Sequence, residues 1–457
     1  MWTASIGQRP LKRQMVVEPT VSIAKVFTTP GPSTPRNVDE NGGENGDSDF
    51  SQLRGSAADF SQIRAINRGA HSLVSVVLDR RPGGGYYALK AVSKQRLLAA
   101  GCAESVCREK AALQALAPHA FIARLHGTGQ DERQLYMLLQ LCVGGDLRGV
   151  LLRRARMEPD APGLEEGAAR YYIGAMAHAL QHIHDRGFVY RDLKPDNVVL
   201  DDGGFPLLCD FGSCVAVGDG GRAMTMVGTW EYAAPETLER RGATMASDLW
   251  SLGVVAYECL LGELPFRPAA DADAGDSGGG GGGDEGDAAP EAVLREIRRR
   301  AHVYAMAEAL GADALSLVCC LLERGEQPRW EGTRRLRSHP FFSALDWDGL
   351  AARRLRPPFR PDLRGAADTS GFSHVDPESI REFEREVRRA GEGGESEGGG
   401  GGSGEGSSDA GSASGSATAS DASDEASERG AARAAPEGEA GAGGVYATLM
   451  SVSKWFF

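Results

Sequence analysis

Apolar positions along this chain recur with two different periods, and the change falls about a third of the way along. Between residues 60 and 92, short runs rich in β-branched and aromatic residues alternate with polar ones. Residues 62–66, 73–78 and 86–92 read as three strands, the last two joined by Pro82-Gly83-Gly84-Gly85. Residues 103–116 have helical spacing, and 134–141 return to a strand. Beyond Gly144-Gly145 the spacing is helical, at 165–186, 247–261, 292–300 and 312–322. This order predicts an α+β fold of two lobes, a small β-rich N-lobe and a larger helical C-lobe, with a cleft between them.

Two blocks break the pattern. Residues 268–290 contain an unbroken glycine run, and 390–444 are rich in Gly, Ser, Ala and Glu. Neither offers enough apolar surface to offset the entropy of ordering. The first lies between two helices and reads as a surface insertion, and the second as a linker. Residues 1–58 have no sustained period and read as a leader without a packed core. The last residues, 445–457, turn apolar again and end in Trp455-Phe456-Phe457.

The formal charge of -13 belongs mostly to these blocks. Residues 39–59, 271–291 and 391–440 together carry 24 acids against three Arg (net -21), which leaves the rest near +8. No basic stripe or binding motif marks a nucleic-acid interface. The eight Cys lack metal spacing: no C-x-x-C pair occurs, and Cys319 and Cys320 are adjacent. Reduced thiols in a cytoplasmic or nuclear protein are the simplest reading. No apolar run reaches the roughly 18 residues of a membrane span, and no secretory core follows Met1. Arg9, Lys12 and Arg13 precede any Asp, yet an organelle transit peptide remains the lesser reading.

The chemistry concentrates in Tyr190-Arg191-Asp192-Leu193-Lys194-Pro195-Asp196-Asn197, with Asp210-Phe211-Gly212 thirteen residues beyond Asn197. Phosphoryl transfer needs an acid to orient a hydroxyl and oxygen ligands to hold Mg²⁺. Asp192 fits the first role, Lys194 would neutralise charge on the transferred group, and Asn197 and Asp210 are the candidate Mg²⁺ ligands. An ordinary Asx-rich turn would not bring Asp-Phe-Gly and Ala233-Ala234-Pro235-Glu236 with it.

Over residues 60–372 the chain resembles the AGC group of Ser/Thr protein kinases. Its motifs lie closest to the catalytic domain of cGMP-dependent protein kinase, with the cAMP-dependent catalytic subunit next. The carrying residues are Leu135-Tyr136-Met137-Leu138-Leu139, Val143-Gly144-Gly145-Asp146-Leu147, Tyr190-Arg191-Asp192 and Gly228-Thr229-x-Glu231-Tyr232. Asp346-Trp347, Pro357-Pro358-Phe359 and Asp368-Thr369-Ser370-Gly371-Phe372 match the start of the AGC tail. The resemblance implies a bilobal protein-kinase fold over 60–342, divided into 60–142 and 143–342, followed by a C-terminal tail over 343–457.

It further implies an ATP site formed by Ile66, Asn67, Gly69, Val74, Ala88, Lys90, Glu109, Asp146 and Phe372, with Mg²⁺ at Asn197 and Asp210. Lys90 would pair with Glu109 beside the α- and β-phosphates. The glycine loop departs from its template G-x-G-x-x-G-x-V. Of Asn67-Arg68-Gly69-Ala70-His71-Ser72-Leu73-Val74, only Gly69 and Val74 match, so Asn67 and Ser72 place a Cβ where backbone should approach phosphate.

For substrates, the resemblance assigns Asp146, Asp196, Glu231 and Glu258 to an acidic surface that receives basic side chains ahead of the phosphorylated residue, and adds Thr229 to the substrate-binding residues. An Arg-Arg-x-Ser/Thr-like substrate is expected. Glu236 is expected to pair with Arg329, and Asp248 to brace the catalytic loop. Arg191 points to an activation-loop phosphate on Thr225. Ser105 and Val215 stand where relatives carry basic groups, and Trp230 follows Thr229 where a proline is usual. Trp455-Phe456-Phe457 resembles a hydrophobic motif that docks on the small lobe. No cyclic-nucleotide-binding domain can be placed, so such control would have to come from a separate regulatory chain. A pseudokinase, binding nucleotide through a degenerate glycine loop, is the second reading.

Overall fold

A computed structural model describes residues 59–218, 221–266, 288–299, 309–333, 336–372 and 374–392. The leader 1–58, residues 267–287 of the insertion, and 393–457 with the terminal aromatic motif lie outside the described residues.

Strands β1 (Phe60–Arg68), β2 (Ser72–Asp79), β3 (Tyr86–Ser93), β4 (Leu125–Gln130) and β5 (Gln134–Gln140) form one antiparallel sheet in the order β1-β2-β3-β5-β4. Three of these extend the predicted strands by a residue or more. β4 was not predicted: in Leu-His-Gly-Thr-Gly-Gln only Leu125 and Gly129 are buried, so it carries almost no apolar alternation. Helices α1 (Lys94–Ala99) and α2 (Ala103–Leu116) follow β3. Phe60, Val77, Leu89, Tyr136 and Leu138 pack on one face of the sheet, while Val92, Leu135 and Met137 join the main core beneath α2.

The larger lobe contains α3 (Leu147–Met157), α4 (Glu166–Asp185), α5 (Pro235–Leu238), α6 (Met245–Leu261), α7 (Ala288–Arg299), α8 (Ala312–Leu321), α9 (Glu326–Thr333) and α10 (Trp347–Ala351). Two short two-stranded sheets sit between α4 and α5: β6 (Phe188–Val189) pairs with β9 (Val215–Ala216), and β7 (Val198–Leu200) with β8 (Pro206–Leu208). This is the bilobal α+β architecture that the periodicity predicts.

α6 is apolar nearly all round and is buried accordingly. Ser247 Oγ accepts from the Thr244 N–H at 3.0 Å where the helix starts, and Gly262, at φ 77°, ends it in the left-handed region. Trp250 on this helix stacks on Phe266 with ring centroids 5.5 Å apart. Glu236 and Arg329 form an ion pair with both side chains 0% exposed, as expected. Arg329 also donates to the Ala246 carbonyl at 2.7 Å, and Ser247 donates to Glu236 Oε1 at 2.7 Å, so the arginine and one carboxylate oxygen keep polar partners in the core.

Two predicted boundaries need correction. α7 begins at Ala288, so residues 288–290 belong to a helix and not to the insertion, and Val293, Leu294 and Ile297 anchor it. A final helix, α11 (Pro377–Glu392), takes residues 390–392 from the expected linker. Its one buried aromatic, Phe383, packs against Ala65 of β1 and Leu73 of β2. The compositional reading missed this helix because Arg and Glu dominate it. Among the described residues, no helix is long and apolar enough to cross a membrane.

Candidate active site

Residues 190–197 form a loop whose backbone is fixed from below. Asp248, fully buried on α6, accepts from the Tyr190 N–H at 2.8 Å, the Arg191 N–H at 2.7 Å and His184 Nε2 at 2.8 Å. The Tyr190 hydroxyl donates to the Cys209 carbonyl, one residue before Asp210, and its ring meets Phe211 edge-on at 5.1 Å. Arg191 adopts φ 70°, a left-handed conformation rare for a side chain of that size, and the Asp248 bonds hold it there.

On this frame four side chains converge. Lys194 Nζ lies 3.2 and 3.1 Å from the two Asp192 carboxylate oxygens and 2.7 Å from Thr229 Oγ1. Thr229 Oγ1 donates to Asp192 Oδ1 at 3.2 Å. Asn197 Nδ2 donates to both the carbonyl and Oδ2 of Asp192 at 2.8 Å. Burial raises the Asp192 pKa above the ordinary carboxylate value, opposed by the Lys194 charge and the Asn197 bond.

Above the cleft, Lys90 sits in mid-β3, paired in register with Val74 and Met137. Its ammonium is 2.8 and 2.9 Å from the Glu109 oxygens on α2 and 3.3 Å from Asp210 Oδ1. Burial alone would lower the Lys90 pKa, but Asp210 and Glu109 outweigh it and the ammonium is held charged. Lys90 in turn pulls the Asp210 pKa down, whereas burial pushes Glu109 up. The two carboxylates differ in access: the Glu109 side chain is 4% exposed and the Asp210 side chain 52%. Glu109 is therefore a fixed counterion, while Asp210 presents oxygen to the cleft.

The Cys209 N–H donates to the Asn197 carbonyl at 3.0 Å, which sets Asn197 beside Asp210. An amide and a half-exposed carboxylate form a hard oxygen donor set, suited to Mg²⁺, which takes few protein ligands and completes its shell with phosphate and water. Among the described residues, no group of three or more His, Cys, Asp or Glu is arranged to hold a metal.

The β1–β2 hairpin is tight where the template asks for glycines. The Gly69 N–H donates to the Ser72 carbonyl at 2.9 Å, and a Cβ on Gly69 would meet Ser72 Oγ at 2.9 Å. Two arginines also bind the loop's carbonyls. Arg68 donates to Gly69 and, at 3.1 Å, to Ser72, and Arg96 of α1 donates to Ala70 at 2.7 Å. Their guanidiniums lie 4.7 and 5.8 Å from the Phe383 ring of α11, and Arg96 Nε bonds Glu386 at 2.6 Å. Ile66, Asn67 and Val74 line this hairpin, and Ala88 is buried on β3 two residues before Lys90.

The tail returns to the cleft's edge. Arg64 on β1 donates to Thr369 Oγ1 at 2.8 Å, and the Gly371 backbone lies against Gly144 and Gly145. Gly145, at φ 81°, has no room for a Cβ, which would meet the Gly371 carbonyl at 2.7 Å. Phe372, next in sequence, is half-buried at that edge.

The sequence of the chain matches the protein kinase domain profile over residues 60–342. The chain belongs to the protein kinase domain family. Over 333 residues the chain is 35% identical to human myotonin-protein kinase, covering 70% of this chain and 48% of the relative. It is 31% identical over 326 residues to human ribosomal protein S6 kinase alpha-2 (70% and 40%). To human serine/threonine-protein kinase MRCK beta it is 35% identical over 334 residues (71% and 18%). The chain thus spans less than half the length of these curated relatives. Their names carry kinase activity, and what they show is the protein kinase family with AGC-like relatives.

In this kinase domain the predicted acidic surface divides. Asp146 caps α3, accepting from the Gly149 N–H at 2.7 Å, and burial raises its pKa. Asp196 and Glu258 converge with Tyr232 on Arg148, a residue the sequence reading passed over. Glu231 stands half-buried on the short turn that carries Tyr232. Arg191 donates to the Ser213 carbonyl at 2.7 Å and to the backbone carbonyl of exposed Thr225 at 2.9 Å. A second cation was also missed. Arg108 on α2, three residues beyond Ser105 and so on the same face, lies close enough to add to the lowering of the Arg191 pKa that burial begins.

Proposed function

We propose that this chain is an active protein-serine/threonine kinase that transfers the γ-phosphate of Mg-ATP to Ser or Thr in a basic sequence context. The observation that carries the reading is the pairing of two preformed clusters across one cleft, Lys90–Glu109–Asp210 above and Asp192–Lys194–Asn197–Thr229 below. Catalysis of this kind rests on positioning and charge stabilisation.

In the proposed mechanism Asp192 receives the substrate hydroxyl and orients its proton, and Thr229 and Lys194 fix the carboxylate's angle. Lys194 Nζ, already between Asp192 and Thr229, neutralises charge on the transferred group. Lys90, held by Glu109, would meet the nucleotide phosphates, and Asn197 and Asp210 would hold Mg²⁺. Bound Mg²⁺ supplies electrostatic neutralisation of the phosphate oxygens. Ile66, Val74 and Ala88 line the adenine side with Phe372. Asp146, Asp196, Glu231 and Glu258 form the acidic surface for basic substrate residues, which guanidiniums fork onto well. Arg191, joined by Arg108, would receive a phosphate on Thr225. In this reading residues 60–342 are the catalytic unit and 343–457 its tail.

Cyclic-nucleotide control through a separate chain rests on motif resemblance alone and is not needed for this chemistry. The competing reading, a nucleotide-binding pseudokinase, draws on Asn67 and Ser72 in the glycine loop. One experiment separates them. The purified full chain is incubated with Mg-ATP and an Arg-Arg-x-Ser peptide, beside Asp192→Asn and Thr225→Ala versions. Transfer by the wild type, with a loss of about 10²–10⁴-fold in Asp192→Asn, supports the kinase. Nucleotide binding without transfer selects the pseudokinase, and full activity in Thr225→Ala removes the proposed switch.

A further inference from the structure

Arg148 makes four donations through all three guanidinium nitrogens. Nε and Nη2 bond Asp196 Oδ2 at 3.3 and 3.2 Å, Nη1 bonds Glu258 Oε1, and Nη2 also bonds the Tyr232 hydroxyl. Glu258 is buried on α6, and its other oxygen accepts from Tyr232 at 2.7 Å. Four segments meet there: α3, the 3₁₀ turn at Pro195–Asn197, the turn at Trp230–Tyr232, and α6. The placement of Arg148 is set by the chain, since it is the second residue of a helix capped by Asp146. Burial would lower its pKa, but Tyr232 and Glu258 outweigh that and keep it charged.

Asp196 and Glu258 are two of the carboxylates assigned to basic substrate residues. A tethered arginine already forks onto both. A short tether keeps a competing group at an effective concentration on the order of millimolar, well above a typical free peptide. Exchanging one guanidinium for another also returns little net energy, because the same hydrogen bonds are broken and remade.

We propose that Arg148 is a specificity-determining residue: an internal guanidinium seated in the Asp196–Glu258–Tyr232 pocket, which a substrate arginine must displace. Wild-type enzyme therefore gives little weight to arginine at the peptide position this pocket reads, and the basic preference falls to Asp146 and Glu231. This rests on the kinase reading above.

The test uses the full chain as wild type, Arg148→Leu and Arg148→Lys. A single Arg is walked through the six positions before Ser in an otherwise neutral peptide. Peptide Kd is measured by fluorescence anisotropy with Mg²⁺ and a non-hydrolysable ATP analogue, and transfer kcat/KM is measured separately. In Arg148→Leu one position tightens by about tenfold or more relative to wild type, because Glu258, buried and left without its arginine, gains a charge-assisted fork. Arg148→Lys, which cannot fork onto both carboxylates, tightens the same position by a smaller factor. If no position differs by more than about threefold between wild type and Arg148→Leu, the proposal falls. Should Arg148→Leu fail to melt cooperatively, the wild-type and Arg148→Lys profiles decide by the same comparison, and identical profiles overturn it. A binding shift without transfer would remove the kinase reading and keep Arg148's role, whereas transfer with a flat profile would do the reverse.

Discussion

On the proposed function, the loop at 190–197 and the glycine loop face the same task, to hold polar groups still beside phosphate, and they meet it in opposite ways. The loop at 190–197 is fixed from within its own lobe: Asp248 takes three hydrogen bonds beneath it, and its side chains bond one another. The β1–β2 hairpin lacks two of its template glycines, and its carbonyls are held instead by Arg68 and Arg96, which close on Phe383 more than 280 residues away in sequence. Rigidity in the first case is built from local chemistry. In the second it is borrowed from a helix at the far end of the described chain.

The comparison is broken most forcefully at Asp248. Asp248→Ala leaves two buried backbone N–H groups and His184 without their acceptor, at a cost on the order of 3–5 kcal/mol. Chemical denaturation would read that loss, and transfer should fall with it because Arg191 no longer keeps its left-handed backbone. A milder result, under about 1 kcal/mol, would show that the loop does not depend on its floor.

Phe383→Ala addresses the other region. Two cation–aromatic contacts and an apolar anchor disappear, each contact worth roughly 0.5–1 kcal/mol, while the main core is untouched. The expected outcome is a rise in KM for ATP of about three- to tenfold with kcat little changed. Adding Asn67→Gly and Ser72→Gly to that variant should recover part of the loss if bracing and glycines are alternative solutions. An unchanged KM would separate α11 from nucleotide handling.

The smallest effect sharpens the catalytic loop alone. Burial raises the Asp192 pKa, and the group orients a proton only as carboxylate. Activity should therefore rise with pH as Asp192 deprotonates, with the acid limb displaced upward from the ordinary carboxylate range, measurable in a kcat/KM profile at fixed ionic strength. A limb at or below that range would mean that Lys194 and Asn197 outweigh burial.

The contrast also explains what the sequence made legible. Residues 190–197, Asp210, Lys90 and Glu109 were found because contiguous motifs and fixed strand–helix order announce them. The Glu236–Arg329 pair and the Asp248 brace followed from the same resemblance. Arg148 gave no such signal: an arginine in the first turn of an arginine-rich helix looks solvated until the fold brings Glu258 and Asp196 to it. α11 was hidden by its charges, since a single buried Phe383 among Arg and Glu carries little periodic weight. β4 was hidden by two glycines and a histidine. In each case the missing information is a long-range contact, which no local pattern encodes.

On the proposed function, the docked helix α11 would make bound nucleotide and residues 377–392 thermodynamic partners. Coupling between two binding events is reciprocal, so whatever factor α11 contributes to nucleotide affinity, bound nucleotide returns to the docking of α11. If α11 raises nucleotide affinity, the seat of Phe383 on Arg68 and Arg96 would then be a gauge of the cleft, tighter when the cleft is filled and looser when it empties. Protease susceptibility around residues 377–392 would report occupancy of a site that those residues never touch.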